Sequence, residues 1–287
     1  MDALGFIGLG AMGGPMARNL CRGGHRVVGH DLNPAGLAAA TRFGVIAAAD
    51  AAEVVVRCGI VLTSVRSSEA WVELAQTALI PHAQPGQTFI DLGTTAAPQT
   101  RRIAARLAEK GAVLIDAPVS GGPAGAEAGT LRIFVGGLEE AVASIRPILE
   151  ALGDPARVVY CGPTGAGQVV KGCNQLAMGL ADAAYMEALS FGVAQGIPPG
   201  VVAQGVGGEE GWREHFAAVA QQVAAGRGDA WETKYPELPY FIEEANEKQL
   251  AMPLMRALHV FGIGIPKDTS DCMGRPTIAF WRSLLGE

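Results

Sequence analysis

Residues 5–20 read GFIGLGAMGGPMARNL, and their glycines decide the fold. Gly8, Gly10 and Gly13 carry the spacing GxGxxG, directly after the strand-like LGFI and at the opening of an amphipathic segment. In such a turn the first glycine permits the tight bend, the second lets a pyrophosphate approach the backbone, and the third allows helix to pack closely on strand. The free N–H groups of the opening helix then face the anion. Eighteen residues after Gly13 the second strand-like run, HRVVGHD, ends in Asp31. A carboxylate there accepts hydrogen bonds from a ribose diol and repels a 2′-phosphate, so the expected cofactor is NAD, with NADP disfavoured. The expected cofactor contacts in this stretch are Gly8, Leu9, Gly10, Ala11, Met12, Gly13 and Asp31.

Working outward, short apolar runs alternate with helix-like segments up to residue 162: LGFIGLG, HRVVGHD, GIVLTSV, TFIDLGT, AVLIDAP, LRIFVGG and RVVYCG. Such alternation builds βαβ units around a mostly parallel sheet. Beyond CGPTGAG only Ala-rich segments of helical spacing remain, broken at GIPPG, GVGGEEG and YPELP. The expected architecture is an α/β Rossmann-type domain over 1–162 followed by an all-α domain over 163–287 for substrate binding and oligomerisation. The boundary is a change of pattern without a low-complexity tether, so the two are expected to pack closely.

Composition narrows the function. The 287 residues are 49% hydrophobic and 17% charged, with a net charge of −6, which gives no electrostatic reason to expect nucleic acid or an anionic membrane as partner. Five cysteines without a CxxC pair argue against a disulfide framework or a zinc site and read as buried, reduced thiols. Five histidines lack metal-ligand spacing and no GxSxG is present, so neither metal nor covalent hydrolytic chemistry is expected. Nothing resembles a signal segment or a membrane span, and the expected location is cytoplasmic.

Two further stretches carry chemistry. In DAPVSGGPAGAEAGTLRIFVGG, residues 116–137, a strand releases small residues around Ser120, Gly121 and Gly122. A serine hydroxyl beside two peptide N–H groups makes a carboxylate cradle at the carboxyl end of a strand, although an ordinary glycine loop reads the same way. In GAGQVVKGCNQLAMGLADAAYMEAL, residues 165–189, Lys171, Asn174 and Gln175 share one helix face. Val169, Val170, Cys173, Leu176, Ala177, Leu180 and Ala181 make the other faces apolar, as in a helix buried on several sides. A lysine there either snorkels to water or is a desolvated amine whose lowered pKa fits it for proton transfer.

Taken together, the three motifs resemble the β-hydroxyacid dehydrogenase family, in the same order and over nearly the whole chain. The resemblance implies a dinucleotide-binding domain joined to an all-helical one with the active site in the cleft between them. It implies Lys171 as the acid/base, Ser120, Gly121 and Gly122 holding the substrate carboxylate, and Asn174 or Gln175 orienting the hydroxyl. It also implies a homodimer or homotetramer built through the helical domain.

The chain departs from the family pattern at several points. Asn174 and Gln175 stand where two asparagines are usual, and Val65 and Arg66 stand for a Leu-Pro pair that lines the cofactor, leaving Val65 as a weak contact. Gly93 replaces a serine in DLGTTAAPQT, so Thr95 or Thr94 is expected to meet the nicotinamide. Pro236 and Glu237 occupy a segment that in the family reads Lys-Asp-Leu, and Lys234 is the candidate substitute for its lysine, with a surface lysine as the alternative. Trp231 is read as lining the substrate pocket or filling core. The expected activity is NAD-dependent oxidation of a small 3-hydroxy acid. The alternatives are an imine-type reductase, whose relatives usually lack the lysine, and an NAD-binding sensor without turnover.

Overall fold

The computed structural model describes residues 3–228, 231, 234–271 and 273–286. All seven strand-like runs form strands, and two more appear that the sequence pattern did not announce. In chain order they are β1 (Leu4–Ile7), β2 (Val27–His30), β3 (Ile46–Ala47), β4 (Ile60–Thr63), β5 (Thr88–Asp91), β6 (Val113–Asp116), β7 (Val119–Ser120), β8 (Leu131–Gly136) and β9 (Gly153–Gly162). The two unannounced strands, β3 and β7, have two residues each, too few to show a period.

The strands form one sheet in the order β3-β2-β1-β4-β5-β6-β8-β7, with β9 pairing β8. Strands β3 to β6 of that order run parallel, in the doubly wound arrangement whose order reverses beside β1. At the far edge β8 is antiparallel to β6 and β7. Register aligns Ile7, Thr63, Asp91 and Asp116 in a single row at the carboxyl ends of β1, β4, β5 and β6. The strands are short apolar runs because helices cover both faces, giving one hydrophobic cluster around Phe6, Leu62 and Ile133 and another around Val61, Trp71 and Phe89. Side chains start the connecting helices: Asn33 accepts from the Ala35 N–H at 3.0 Å ahead of Pro34, and Asp50 from the Glu53 N–H at 2.7 Å.

The chain divides into two units, Met1–Gly172 and Cys173–Glu287. No strand follows β9 among the described residues. The long helix Ala166–Ala194 is followed by Pro199–Val206, Gly211–Ala225, Leu238–Glu247, Pro253–Ile263 and Ile278–Ser283, broken at the Gly- and Pro-rich stretches named above. The second unit has its own core, in which Phe280 meets Trp281 edge-on at 5.0 Å and Phe261 meets Phe280 at 5.9 Å.

The long helix buries polar side chains that its apolar composition did not announce. Gln168, Lys171, Gln175 and Asp182 are buried, whereas Val169, Cys173, Ala177, Ala184, Ala188 and Phe191 form an exposed stripe. Within one chain the helix buries these polar residues together with Met186 and Leu189 and leaves an apolar stripe open. Cys173 on that stripe is exposed and Cys21 and Cys161 are half-buried, so of the thiols expected to be buried only Cys58 is so among the described residues; Cys272 lies outside them.

Candidate active site

The glycine turn is built as its spacing requires. Gly8 has a φ of +91°, and a Cβ there would strike the carbonyl oxygen of Ser64, at the end of the neighbouring β4. Gly13 opens the helix Gly13–Arg22, and a Cβ on it would strike the carbonyl of Gly8. A Cβ on Gly10, by contrast, would meet nothing within 4 Å, and Gly10 and Ala11 are exposed with Met12 half-buried. Two glycines are thus demanded by protein atoms and the third leaves open space at the helix start, which fits a pyrophosphate. Asp31 follows β2 directly. Its carboxylate accepts from the Leu9 N–H at 2.5 Å and from the Asn33 N–H at 2.6 Å, so it also ties the turn together.

At the ends of β4, β5 and β6 the aligned polar row forms a buried network. Trp71 Nε1 donates to Thr63 Oγ1 at 3.0 Å, and Thr63 Oγ1 donates to Asp91 Oδ1 at 3.3 Å. Asp91 also accepts from the Gly93 N–H at 3.0 Å and from Thr95 Oγ1 at 2.9 Å. Burial pushes the Asp91 carboxyl up to about 7, the charge of Asp116 adding to it while the Gly93, Thr95 and Thr63 donors pull it down. Asp116 is likewise raised by burial, against the backbone donors of Gly165 and Gln168. Thr95 uses its hydroxyl here and its N–H on Gln168, whereas Thr94 is half-buried and Val65 packs at the edge of the core.

Ser120 lies in β7, opposite Arg132, and not in a free loop; Gly121, at a φ of +129°, and Gly122, at +60°, turn the chain into the helix Gly122–Ala128. All three are half-buried. Lys171 is only 5% exposed, on the same helix face as Asn174 and Gln175. Asn174 Nδ2 stands 3.4 Å from Met178 Sδ. Gln175 Nε2 donates to Glu237 Oε2 at 2.8 Å, and Lys234 Nζ lies 3.4 Å from Glu237 Oε1. Lys234 is therefore not an isolated surface lysine, and Glu237, to which sequence reasoning gave no role, joins two of the candidate residues. Trp231 stacks on Trp281 at 4.4 Å and donates from Nε1 to Gln222 at 3.1 Å, which builds it into the aromatic core of the second unit. Sequence reasoning also missed Gln168 and Asp116, although the Asp in DAPVSGG and the Gln in GAGQ stand inside the quoted motifs.

Among the described residues no group of three or more His, Cys, Asp or Glu is placed to hold a metal ion, and no helix is long and apolar enough to cross a membrane.

Comparison with known proteins agrees with this geometry. The family described as the NAD binding domain of 6-phosphogluconate dehydrogenase matches residues 3–162. A 3-hydroxyisobutyrate dehydrogenase of Pseudomonas aeruginosa is 38% identical over 206 residues, 71% of this chain and 68% of that protein. A 2-(hydroxymethyl)glutarate dehydrogenase of Eubacterium barkeri is 34% identical over 296 residues, 99% of this chain and 96% of that one. The solved structure of Mycobacterium tuberculosis 3-hydroxyisobutyrate dehydrogenase with L-serine superposes with a TM-score of 0.84 at 28% identity, covering 99% of both chains. The chain belongs to the β-hydroxyacid dehydrogenase family, and so to the NAD-dependent dehydrogenases of 3-hydroxy acids.

Proposed function

We propose that the protein oxidises a small 3-hydroxy acid to its semialdehyde or keto form, with Lys171 as general base and, in the reverse direction, as general acid. The observation that carries this reading is the burial of Lys171, 5% exposed, with Gln168 and Gln175 buried one helical turn to either side. Bound NAD supplies the hydride acceptor. Lys171 enters as the neutral amine, takes the proton of the substrate hydroxyl as the carbonyl forms, and leaves as the ammonium.

In this reading Ser120 and the N–H groups of Gly121 and Gly122 hold the substrate carboxylate, and Asn174 and Gln175 orient the hydroxyl. Because Gln175 donates to Glu237, its Oε1 is turned to accept, which suits a hydroxyl or ammonium donor. The backbone of Gly8 to Gly13 cradles the pyrophosphate and Asp31 takes the ribose diol. Thr94, rather than the internally bonded Thr95, meets the nicotinamide, with Val65 and Lys234 as further contacts. Trp231 belongs to packing. The substrate class draws support from the relatives, whose names span hydroxyisobutyrate and hydroxymethylglutarate. The test is NADH formation across a panel of 3-hydroxy acids and serine, with NADP in parallel. Turnover with an amine and none with any hydroxy acid would replace this reading with imine chemistry, and NAD binding without any turnover would replace it with a sensor.

The assembly we propose is a homodimer or homotetramer, with working domains at 1–162 and 163–287 and a cytoplasmic location. Support comes from the outward apolar stripe of the long helix, where Val169 is 39% and Phe191 73% exposed, a face that a second copy would cover. Light scattering at micromolar concentration is expected to exceed the 29.6 kDa of one chain.

A further inference from the structure

The long helix begins on a buried carboxylate. The Gly165 N–H donates to Asp116 Oδ1 at 2.6 Å and the Gln168 N–H to Oδ2 at 2.9 Å. Room for that carboxylate depends on two glycines. A Cβ on Gly136 would stand 2.6 Å from Asp116 Oδ1, and one on Gly167 would strike the Phe134 carbonyl oxygen and stand 2.8 Å from Oδ2. The side chain of Gln168 then reaches back across the strand ends. Its Oε1 accepts from the Thr95 N–H at 2.9 Å, while Nε2 donates to the Gly93 carbonyl at 2.9 Å and lies 3.4 Å from Asp91 Oδ2. Both ends of the amide are used, so its orientation is determined, and at 1% exposure no water competes for it.

We propose that Gln168 and Asp116 are positioning residues that lock the turn carrying Thr94 and the helix carrying Lys171 into one register. The proposal rests on the dehydrogenase reading above and adds the device that fixes the base relative to the hydride acceptor. Gln168 and Lys171 are three residues apart on one helix, so a shift of the first turn carries the amine with it. Capping alone would require the Asp116 contacts. The Gln168 amide does something else: it bonds a backbone N–H and a backbone carbonyl of a different segment, the one that follows β5. Such a link sets a distance, and misplacement by about 1 Å is enough to lower a rate about 100-fold.

The experiment compares wild type with Gln168→Leu and with Gln168→Met, which keeps the length of the side chain without its amide. Four quantities are read: kcat, the KM for NAD, the primary deuterium isotope effect with acid labelled at the hydroxyl-bearing carbon, and amide exchange over residues 91–98. The variants are expected to lose about 30- to 100-fold in kcat while the KM for NAD moves less than about threefold. The isotope effect should rise, because the misplaced chemical step becomes rate-limiting, and exchange at Thr95 should accelerate at least about tenfold. A kcat loss that merely follows the loss of folded protein, at an unchanged isotope effect, would overturn the positioning role; so would unchanged protection at Thr95 in a variant that folds. If neither variant folds, Asp116→Asn, whose amide keeps one acceptor but turns its NH2 toward the second helix N–H, must reproduce the kcat loss and the raised isotope effect, and near-normal values refute the proposal. A wild type that reduces NAD with no acid of the panel sinks the dehydrogenase reading, and the positioning role with it, before any variant is compared.

Discussion

The polar row at the ends of β4, β5 and β6 and the trio of Gln175, Lys234 and Glu237 both fix side chains, by opposite means. In the first region the bonds that hold Asp116 and Gln168 run mostly to backbone: Asp116 receives the N–H groups of Gly165 and Gln168, and Gln168 grips Thr95 and Gly93 through their main chain. Backbone partners leave little room for exchange: a Cβ on Gly136 would strike the carboxylate, and one on Gly167 would strike the Phe134 carbonyl and then the carboxylate. In the second region side chain meets side chain, Gln175 and Lys234 on the two oxygens of Glu237. There a longer amide and a displaced lysine can replace shorter or nearer ones. Exchange is thus easier where both partners are side chains than where a main-chain group sets the position.

Removing the amine should have the largest effect. Lys171→Ala is expected to lower kcat by about two to four orders of magnitude, with NAD affinity nearly unchanged, as for loss of a positioned acid/base. Steady-state kinetics over the pH range checks it, and a near-normal kcat would show that the rigid region serves packing and not chemistry.

The same contrast explains what could be read in advance. Gly8 and Gly13 were legible because each answers a separate steric demand and Gly10 because it keeps their spacing, and the seven longer strands because each of them carries a short apolar run. Asp116 and Gln168 stood inside quoted motifs yet went unread, because their roles depend on bonds 49 to 77 residues apart in sequence. The two-residue strands β3 and β7 show no period at all. Glu237 was visible only as a departure, since an acid that pairs with Gln175 across 62 residues has no local signature. The burial of Gln168, Lys171, Gln175 and Asp182 in the long helix ran against its apolar composition, because helical spacing alone does not say which face a chain turns inward.

A smaller effect follows from burial in the rigid region. The Asp91 carboxyl is held at about 7 when folded against an ordinary 3.8. A raised carboxyl binds its proton more tightly in the folded state, so its contribution to stability is fully present below the unfolded value and is lost as pH rises through about 7. Unfolding free energy from urea titrations is therefore expected to fall between pH 4 and pH 7, with a gentler slope in Asp91→Asn. Asp116, also raised by burial, contributes in the same direction. A stability that climbs steadily across this window in wild type and variant alike would mean that the donors around Asp91 outweigh its burial.

The smallest effect tests the adaptable region, and it separates coupling from coincidence. Gln175→Asn shortens the amide by one methylene, so it no longer reaches Glu237; Glu237→Ala removes the acceptor and leaves both Gln175 and Lys234 without the carboxylate they share. Each change is expected to raise the KM for the hydroxy acid about three- to tenfold with a smaller change in kcat, since what is lost is the fixed orientation of an acceptor and not the proton-transferring group. If Glu237 acts through Gln175, the double variant should be little worse than Glu237→Ala, giving an interaction of about 1 kcal/mol in the cycle. Lys234 supplies the control, because the Lys234–Glu237 pair is partly exposed and an exposed ion pair contributes little, so Lys234→Met should leave the Gln175 coupling in place. Strict additivity of Gln175→Asn and Glu237→Ala would show that the 2.8 Å bond carries no functional weight and that the two departures from the family pattern arose independently.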